Sequence, residues 1–266
     1  MHHERIQLPH CVMDAYIPAM SIDPSHPRKS IVICPGGGYQ HLSEREAEPV
    51  ALVFASMGFN AFVVWYRISP NRYPCAVEDT ACAVAWVRAH AGEYRADPDA
   101  IAVAGFSAGG HAACSLGVRW HDEALMASFG LTPTQARPNA MVLSYPVITG
   151  GEFAHRGSFE HLTGSDDLAL HAEHSLENLV TAQTPPTFLW HTWEDGSVPV
   201  ENTLMMVSAL RRVRVLTEVH IYPHGSHGLA LANWLTSDAD HAYQVVPECA
   251  AWPKLAARFL QDVLTH

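Results

Sequence analysis

The chain has 266 residues, 48% of them hydrophobic and only 16% charged, against roughly 25% charged in an ordinary soluble domain. That composition excludes a disordered or solvated tail and leaves ample length for a large buried core. The 16 lysines and arginines face 27 aspartates and glutamates, a formal charge of −11, which excludes a nucleic-acid backbone as partner even though the 18 histidines take up charge near pH 6.

The chain opens with MHHERIQLPHCVMDAY, an extended region lacking the uninterrupted apolar run of a secretory leader, so a cytoplasmic location is expected. Residues 21–29 (SIDPSHPRK) form a polar, proline-bearing loop before 30–35 (SIVICP), an apolar run of the kind found in buried parallel strands. Ser43-Glu44-Arg45-Glu46 has the spacing of a capping box opening a helix to about Met57. Pro49 conflicts with that start and offers another, because proline suits the first helical position and not the interior. Gly58 ends this helix. A strand at 61–66 (AFVVWY) and a helix at 76–90, with Val77, Ala81, Val84, Ala85 and Val87 at helical spacing, follow. Asp97-Pro98 reads as a turn, 101–104 (IAVA) as a strand, 108–120 as a helix and 140–145 (AMVLSY) as a strand. A less regular stretch leads to a strand at 187–191 (TFLWH), a helix around 201–212, a strand at 216–222 and a closing helix near 250–264. The uncharged stretches 49–66 and 100–118 are each broken by glycine-bearing turns, so neither is a membrane span. Strands alternating with helices predict an α/β protein, a doubly wound, mainly parallel sheet forming a single domain over 1–266, with ligands beyond the carboxyl ends of the strands. Cys11, Cys34, Cys75, Cys82, Cys114 and Cys249 form no CxxC pair and no regular spacing, which predicts free thiols in a reducing compartment.

The strongest chemical signal is Gly105-Phe106-Ser107-Ala108-Gly109, a GxSxG pentad entered by the IAVA strand and left by a small-residue helix. Flanking glycines permit a turn tight enough to push Ser107 into a strained, exposed position, and the helix N-terminus beyond favours developing negative charge. A serine nucleophile needs a base, and the base an orienting acid. WHTWEDGSVP (190–199) and YPHGSHGLA (222–230) each follow a strand, which places Asp195 and His227 at strand ends in the order serine, acid, histidine. Glu194 competes with Asp195, and His224 and His191 compete with His227. His111, one turn beyond Ser107, is expected to pack against the sheet. Neither His171/His174 nor His220/His224 has a third metal ligand at suitable spacing, so no metal is expected. Pro35-Gly36-Gly37-Gly38-Tyr39 supplies glycine amides for an oxyanion; Gly37, Gly38 and the amide of Ala108 are the expected donors.

PGGGY, the Tyr66-Arg67 pair, YPCAVEDTACAVAWVR (73–88), DPDAIAVAGFSAGGH (97–111), HTWEDGSVPVEN (191–202) and HGSHGLAL (224–231) recur in this order in the serine esterase branch of the α/β-hydrolases, which nearly the whole chain resembles. More narrowly it is similar to bacterial acetyl esterases and acetylxylan-esterase-like proteins. The resemblance implies a sheet of about eight strands, a triad of Ser107, Asp195 and His227, an acyl-enzyme on Ser107, and no metal or organic cofactor. It departs in carrying proline where the HGGG-type oxyanion motif has histidine. The implied partner is a small-molecule ester with a short acyl group, such as an acetylated xylooligosaccharide. Residues 148–184 make a small insertion, which either lines the alcohol side of the site with 150–164 or is a structural loop region; a homo-oligomer stays open. The rival readings are a peptidase of prolyl-oligopeptidase type and a non-catalytic relative acting as a binding protein; the retained serine, acid, histidine and glycines argue against the second.

Overall fold

Residues 1–19, 26–237 and 244–265 are described by the computed structural model, so the first part of the expected 21–29 loop lies outside the described residues. The N-terminal extended region is two strands, β1 (His2–Gln7) and β2 (Val12–Ile17), paired antiparallel, with Gln7 Nε2 donating to the carbonyls of Leu8 and Cys11 across the turn. Then come β3 (Arg28–Cys34), α1 (Glu48–Ser56), β4 (Asn60–Trp65), α2 (Cys75–Ala89), β5 (Ala96–Phe106) and α3 (Ala108–Arg119). The short α4 (Glu123–Ser128) and α5 (Pro133–Ala136) precede β6 (Ala140–Ser144); α6 (Arg156–Thr163) and α7 (Leu168–Glu173) fill the insertion; β7 (Thr187–Thr192), α8 (Glu201–Arg212), β8 (Thr217–Tyr222) and α9 (Trp252–Val263) complete the order.

The eight strands form one sheet in the order β1-β2-β4-β3-β5-β6-β7-β8. β2 pairs antiparallel with β4, and every pair from β4 to β8 is parallel. Burial on both faces explains the unbroken apolar runs. In β3, Val32 and Cys34 join the core under α2 and α3, while Ile31 and Ile33 join the core under α1 and α9. The same alternation sends Leu189 to the first face and Phe188 and Trp190 to the second, where Trp190 stacks on Trp252 at 5.4 Å between ring centroids. Each such aromatic, fully withdrawn from water, contributes about 2–3 kcal/mol.

Two expectations are corrected. Asp97-Pro98 is not a turn before the strand: β5 starts at Ala96, paired with Arg28, and an irregularity in register between Arg28 and Ser30 sets residues 97–100 against Lys29 alone, with Asp97 Oδ1 accepting the amide of Asp99. Ser43-Glu46 is not a capping box: Ser43 makes no side-chain cap, residues 44–46 form a single 3-10 turn, and the helix starts at Glu48 with Pro49 in its first turn. A genuine capping box occurs instead at Thr132 and Gln135, opening α5. No helix among the described residues is long and apolar enough to cross a membrane.

α3 explains its own composition. Every residue from Ala108 to Val118 is buried. A Cβ on Gly109 would lie 2.1 Å from the Cys34 carbonyl oxygen and one on Gly117 would lie 2.1 Å from Met141 Sδ. Only glycine lets the helix sit this low, and that depth holds its N-terminus against the ends of β3 and β5.

Candidate active site

β5 delivers Ser107 directly into α3. Its backbone has φ 53° and ψ −122°, a conformation costing an L-residue about 1–3 kcal/mol. Neighbouring bonds hold it there: Ser107 N donates to Ser144 O at 3.0 Å, and Ser107 O accepts from the amides of His111 and Val147. A Cβ on Gly105 would strike Gly109 O at 2.1 Å, so the turn has no room for larger flanks. The expected strain is present, but Ser107 is only 7% exposed and faces a cavity instead of open solvent.

Asp195 follows β7 and His227 follows β8, and the parallel register of those strands puts both beside Ser107. His227 Nε2 lies 2.8 Å from Ser107 Oγ, and His227 Nδ1 lies 2.7 Å from Asp195 Oδ2. A carboxylate can only accept from Nδ1, which leaves the Nε2 lone pair facing the serine hydroxyl. Asp195 Oδ1 accepts the amides of Ser197 and Val198, both at 2.9 Å. Burial alone would raise the Asp195 carboxyl, but hydrogen bonds from His191 and His227 hold it well below the usual carboxylate range.

The competitors fall into other places. Glu194 is exposed and pairs with His224 at 2.9 Å, away from the serine. His191 does not contact Ser107; it supports the Asp195 carboxylate from behind. Its Nε2 faces two acceptors, Asp195 Oδ2 at 3.2 Å and Val198 O at 3.0 Å, and therefore carries the proton, while Nδ1 accepts from Thr203 Oγ1 at 2.8 Å. The result is one chain of contacts, Thr203–His191–Asp195–His227–Ser107. The sequence shows His191 as a rival base; the signal for its bracing position is its i, i+4 spacing to Asp195 across the strand end. His111, expected on the sheet, instead joins Tyr39 Oη at 2.9 Å to His174 O at 3.1 Å, so it ties α3 to the insertion. Burial lowers its imidazole to about 4, so it is neutral.

Opposite the serine, Gly37 (φ 124°) and Gly38 (φ 64°) turn the chain after β3. Pro35 O accepts from Tyr66 Oη at 2.6 Å, and Gly36 N donates to the buried Glu46 carboxylate at 2.8 Å. The amides of Gly37, Gly38 and Ala108 donate to no acceptor among the described residues. Ser107, His227, Gly37 and Gly38 share a cavity of about 380 Å³ with His155 and His161 from the insertion. His161 Nδ1 lies 3.0 Å from Gly38 O, and His155 Nδ1 lies 2.8 Å from Ser158 Oγ. Burial first, and then His227, lower the His155 imidazole. The 150–164 segment thus forms one wall of the cavity. Among the described residues, no cluster of three or more histidine, cysteine or acidic side chains is arranged to hold a metal.

The chain is 36% identical over 211 residues to an endo-1,4-beta-xylanase B of Butyrivibrio fibrisolvens, covering 77% of this chain and 33% of that protein. It is 31% identical over 213 residues to an acetylxylan esterase of Xylanibacter ruminicola, covering 77% and 42%. The matched part is therefore less than half the length of either relative. Among solved structures, an acetyl ester-xyloside bifunctional hydrolase from Caldicellulosiruptor lactoaceticus has a TM-score of 0.78 at 38% identity, covering 95% of this chain and 88% of that one. A carboxylesterase from Lactobacillus plantarum has a TM-score of 0.87 at 30% identity and covers 100% of both chains. The BD-FAE family profile matches residues 13–210, which take in β2 to α8 with Ser107 and Asp195 at their strand ends, and the chain belongs to the BD-FAE family of α/β-hydrolases.

Proposed function

We propose that this chain is a serine carboxylesterase that removes short acyl groups, acetyl foremost, from carbohydrate alcohols such as acetylated xylooligosaccharides. The observation that carries the reading is the hydrogen-bonded run Ser107–His227–Asp195 opening into a cavity whose facing wall is glycine amide. Ser107 Oγ attacks the acyl carbonyl as His227 Nε2 takes its proton, and Asp195 stabilises the imidazolium. The carbonyl oxygen becomes an oxyanion held by the amides of Gly37, Gly38 and Ala108, each worth about 3–4 kcal/mol in the transition state. Collapse breaks the ester C–O bond, His227 protonates the departing alcohol, and an acyl-enzyme remains. Water then gives a proton to His227 as its oxygen bonds the acyl carbon, and His227 returns that proton to Ser107 Oγ as the Oγ–acyl bond breaks and the acid leaves.

The polar histidine wall from the insertion suits a hydroxyl-rich alcohol, and the relatives named for acetylxylan and acetyl ester-xyloside hydrolysis support a carbohydrate substrate. Esterase relatives favour this reading over a peptidase. The whole chain acts as one catalytic domain. Its partner is a small-molecule ester, not a membrane or nucleic acid, and the six free cysteines favour a reducing compartment, the cytoplasm. The test is hydrolysis of p-nitrophenyl acetate, butyrate and octanoate, and acetate release from acetylated xylooligosaccharides, by wild type and Ser107→Ala. Turnover should fall steeply with acyl length and vanish in Ser107→Ala, while peptide p-nitroanilides stay intact. Retained esterase activity in Ser107→Ala overturns the mechanism.

A further inference from the structure

The segment read from sequence as a helix cap does something else. Glu46 is 3% exposed, and both its oxygens accept from elements that carry the site: Oε2 from Gly36 N at 2.8 Å and Oε1 from Tyr145 Oη at 2.6 Å. Tyr145 Oη in turn accepts from Ala230 N at 2.9 Å, and the Tyr145 ring packs edge-on to the His227 ring, with centroids 5.1 Å apart. Its neighbour Arg45 donates to Gly228 O at 3.1 Å and to Thr236 O at 2.9 Å. One 3-10 turn therefore grips the glycine loop on one side and the histidine loop on the other.

The gripped backbone is strained. Gly37, Tyr145, Gly228 and Ala230 all have positive φ, and Tyr145 (37°) and Ala230 (52°) have no glycine licence for it. Such conformations persist only where surrounding contacts over-determine them. Gly36 is also wedged, since a Cβ there would lie 2.7 Å from Glu46 Oε2 and 3.0 Å from Ser107 Cβ. The carboxylate sits against the back of the loop whose next two amides face the serine. We infer that Arg45 and Glu46 are positioning residues, a clamp that sets the aim of the Gly37 and Gly38 amides relative to His227 through Gly36, Tyr145 and Gly228. This inference rests on the serine-esterase reading above.

The clamp acts on geometry at the reacting centre, where a displacement near 1 Å costs about 100-fold in rate. Glu46→Gln keeps the volume and one carbonyl oxygen but turns an NH2 towards one of the two donors. Tyr145→Phe keeps the ring against His227 and removes the hydroxyl. The experiment measures kcat and KM on p-nitrophenyl acetate, with rates expressed per site stoichiometrically labelled by diethyl p-nitrophenyl phosphate, alongside thermal melts. In Glu46→Gln and in Tyr145→Phe, kcat per labelled site should fall about 10–100-fold with KM within about threefold. The double variant should lose no more than the worse single, because the two changes break one chain of contacts. A structural role alone would lower the melting temperature or the labelled fraction and leave kcat per site unchanged. That result, or additive losses in the double variant, overturns the clamp; if Glu46→Gln does not fold, Tyr145→Phe decides by the same criterion. Wild type that takes no label at all points to failure of the esterase reading instead, and with it the premise of the clamp.

Discussion

Replacing Asp195 with asparagine tests the electrostatic arrangement of the site at a single atom. The carboxylate accepts from four donors: the amides of Ser197 and Val198 on Oδ1, and the rings of His191 and His227 on Oδ2. Asparagine offers only one acceptor oxygen. If that oxygen faces the rings, the NH2 confronts two backbone N–H groups at 2.9 Å, and leaving those amides unpaired costs about 1–3 kcal/mol each. If it faces the amides, both amide bonds survive and His191 keeps Val198 O as its acceptor. The second orientation wins because only it keeps both backbone amides paired, although its NH2 then meets the His191 Nε2–H. It also places an NH2 against His227 Nδ1, so the ring must carry its proton on Nε2 and cannot accept one from Ser107. The expected fall in kcat is about 10⁴-fold, the magnitude that a wrong histidine tautomer produces in serine triads, with KM little changed. Steady-state hydrolysis of p-nitrophenyl acetate by Asp195→Asn measures it. Activity within about tenfold of wild type would refute the claim that the amides of Ser197 and Val198 dictate the tautomer.

Three further outcomes concern stability. His111 is held near 4 by burial, below its unfolded value of about 6.5, so between those limits the unfolded chain binds the extra proton and stability is lost as pH falls. Its share is about 3 kcal/mol between pH 6.5 and 4, and urea unfolding in His111→Gln should show a correspondingly shallower pH dependence over that window. Gly109→Ala, whose Cβ would meet Cys34 O at 2.1 Å and Pro35 O at 2.4 Å, should fail to fold or melt far below wild type. Gly196→Ala, beside the acid but with nothing within 4 Å of the new carbon, should melt within a few degrees of wild type.

Much of this arrangement is legible in the residues because local chemistry requires it. GFSAG can form a serine turn only with glycines at 105 and 109, and the carbonyls that crowd both positions show why. The runs SIVIC and TFLWH are apolar without alternation because both sheet faces are covered, and that property survives in sequence. Glu46 was misread for an equally physical reason: S-x-x-E is the pattern of a local cap, and its true partners, Gly36 and Tyr145, are identified only by tertiary structure, the second of them 99 residues away. His191 presents the same difficulty, since nothing local separates a base from a residue that braces the acid. α4 and α5, with six and four residues, are too short to display a helical period.

The contacts that build the site are also among the most distant along the chain. Ser107 and His227 are 120 residues apart, and Arg45 reaches 191 residues forward to Thr236. Loops this long close late, because their entropy must be met before the contacts they bring together give anything back. The serine turn and the glycine loop lie between strands in the first half of the chain, yet neither has its histidine until β8 has docked at the far edge of the sheet. Recovery of ester hydrolysis during refolding should therefore trail recovery of helical and sheet signal. On the proposed mechanism, recovered hydrolysis would report that the last strand is in place.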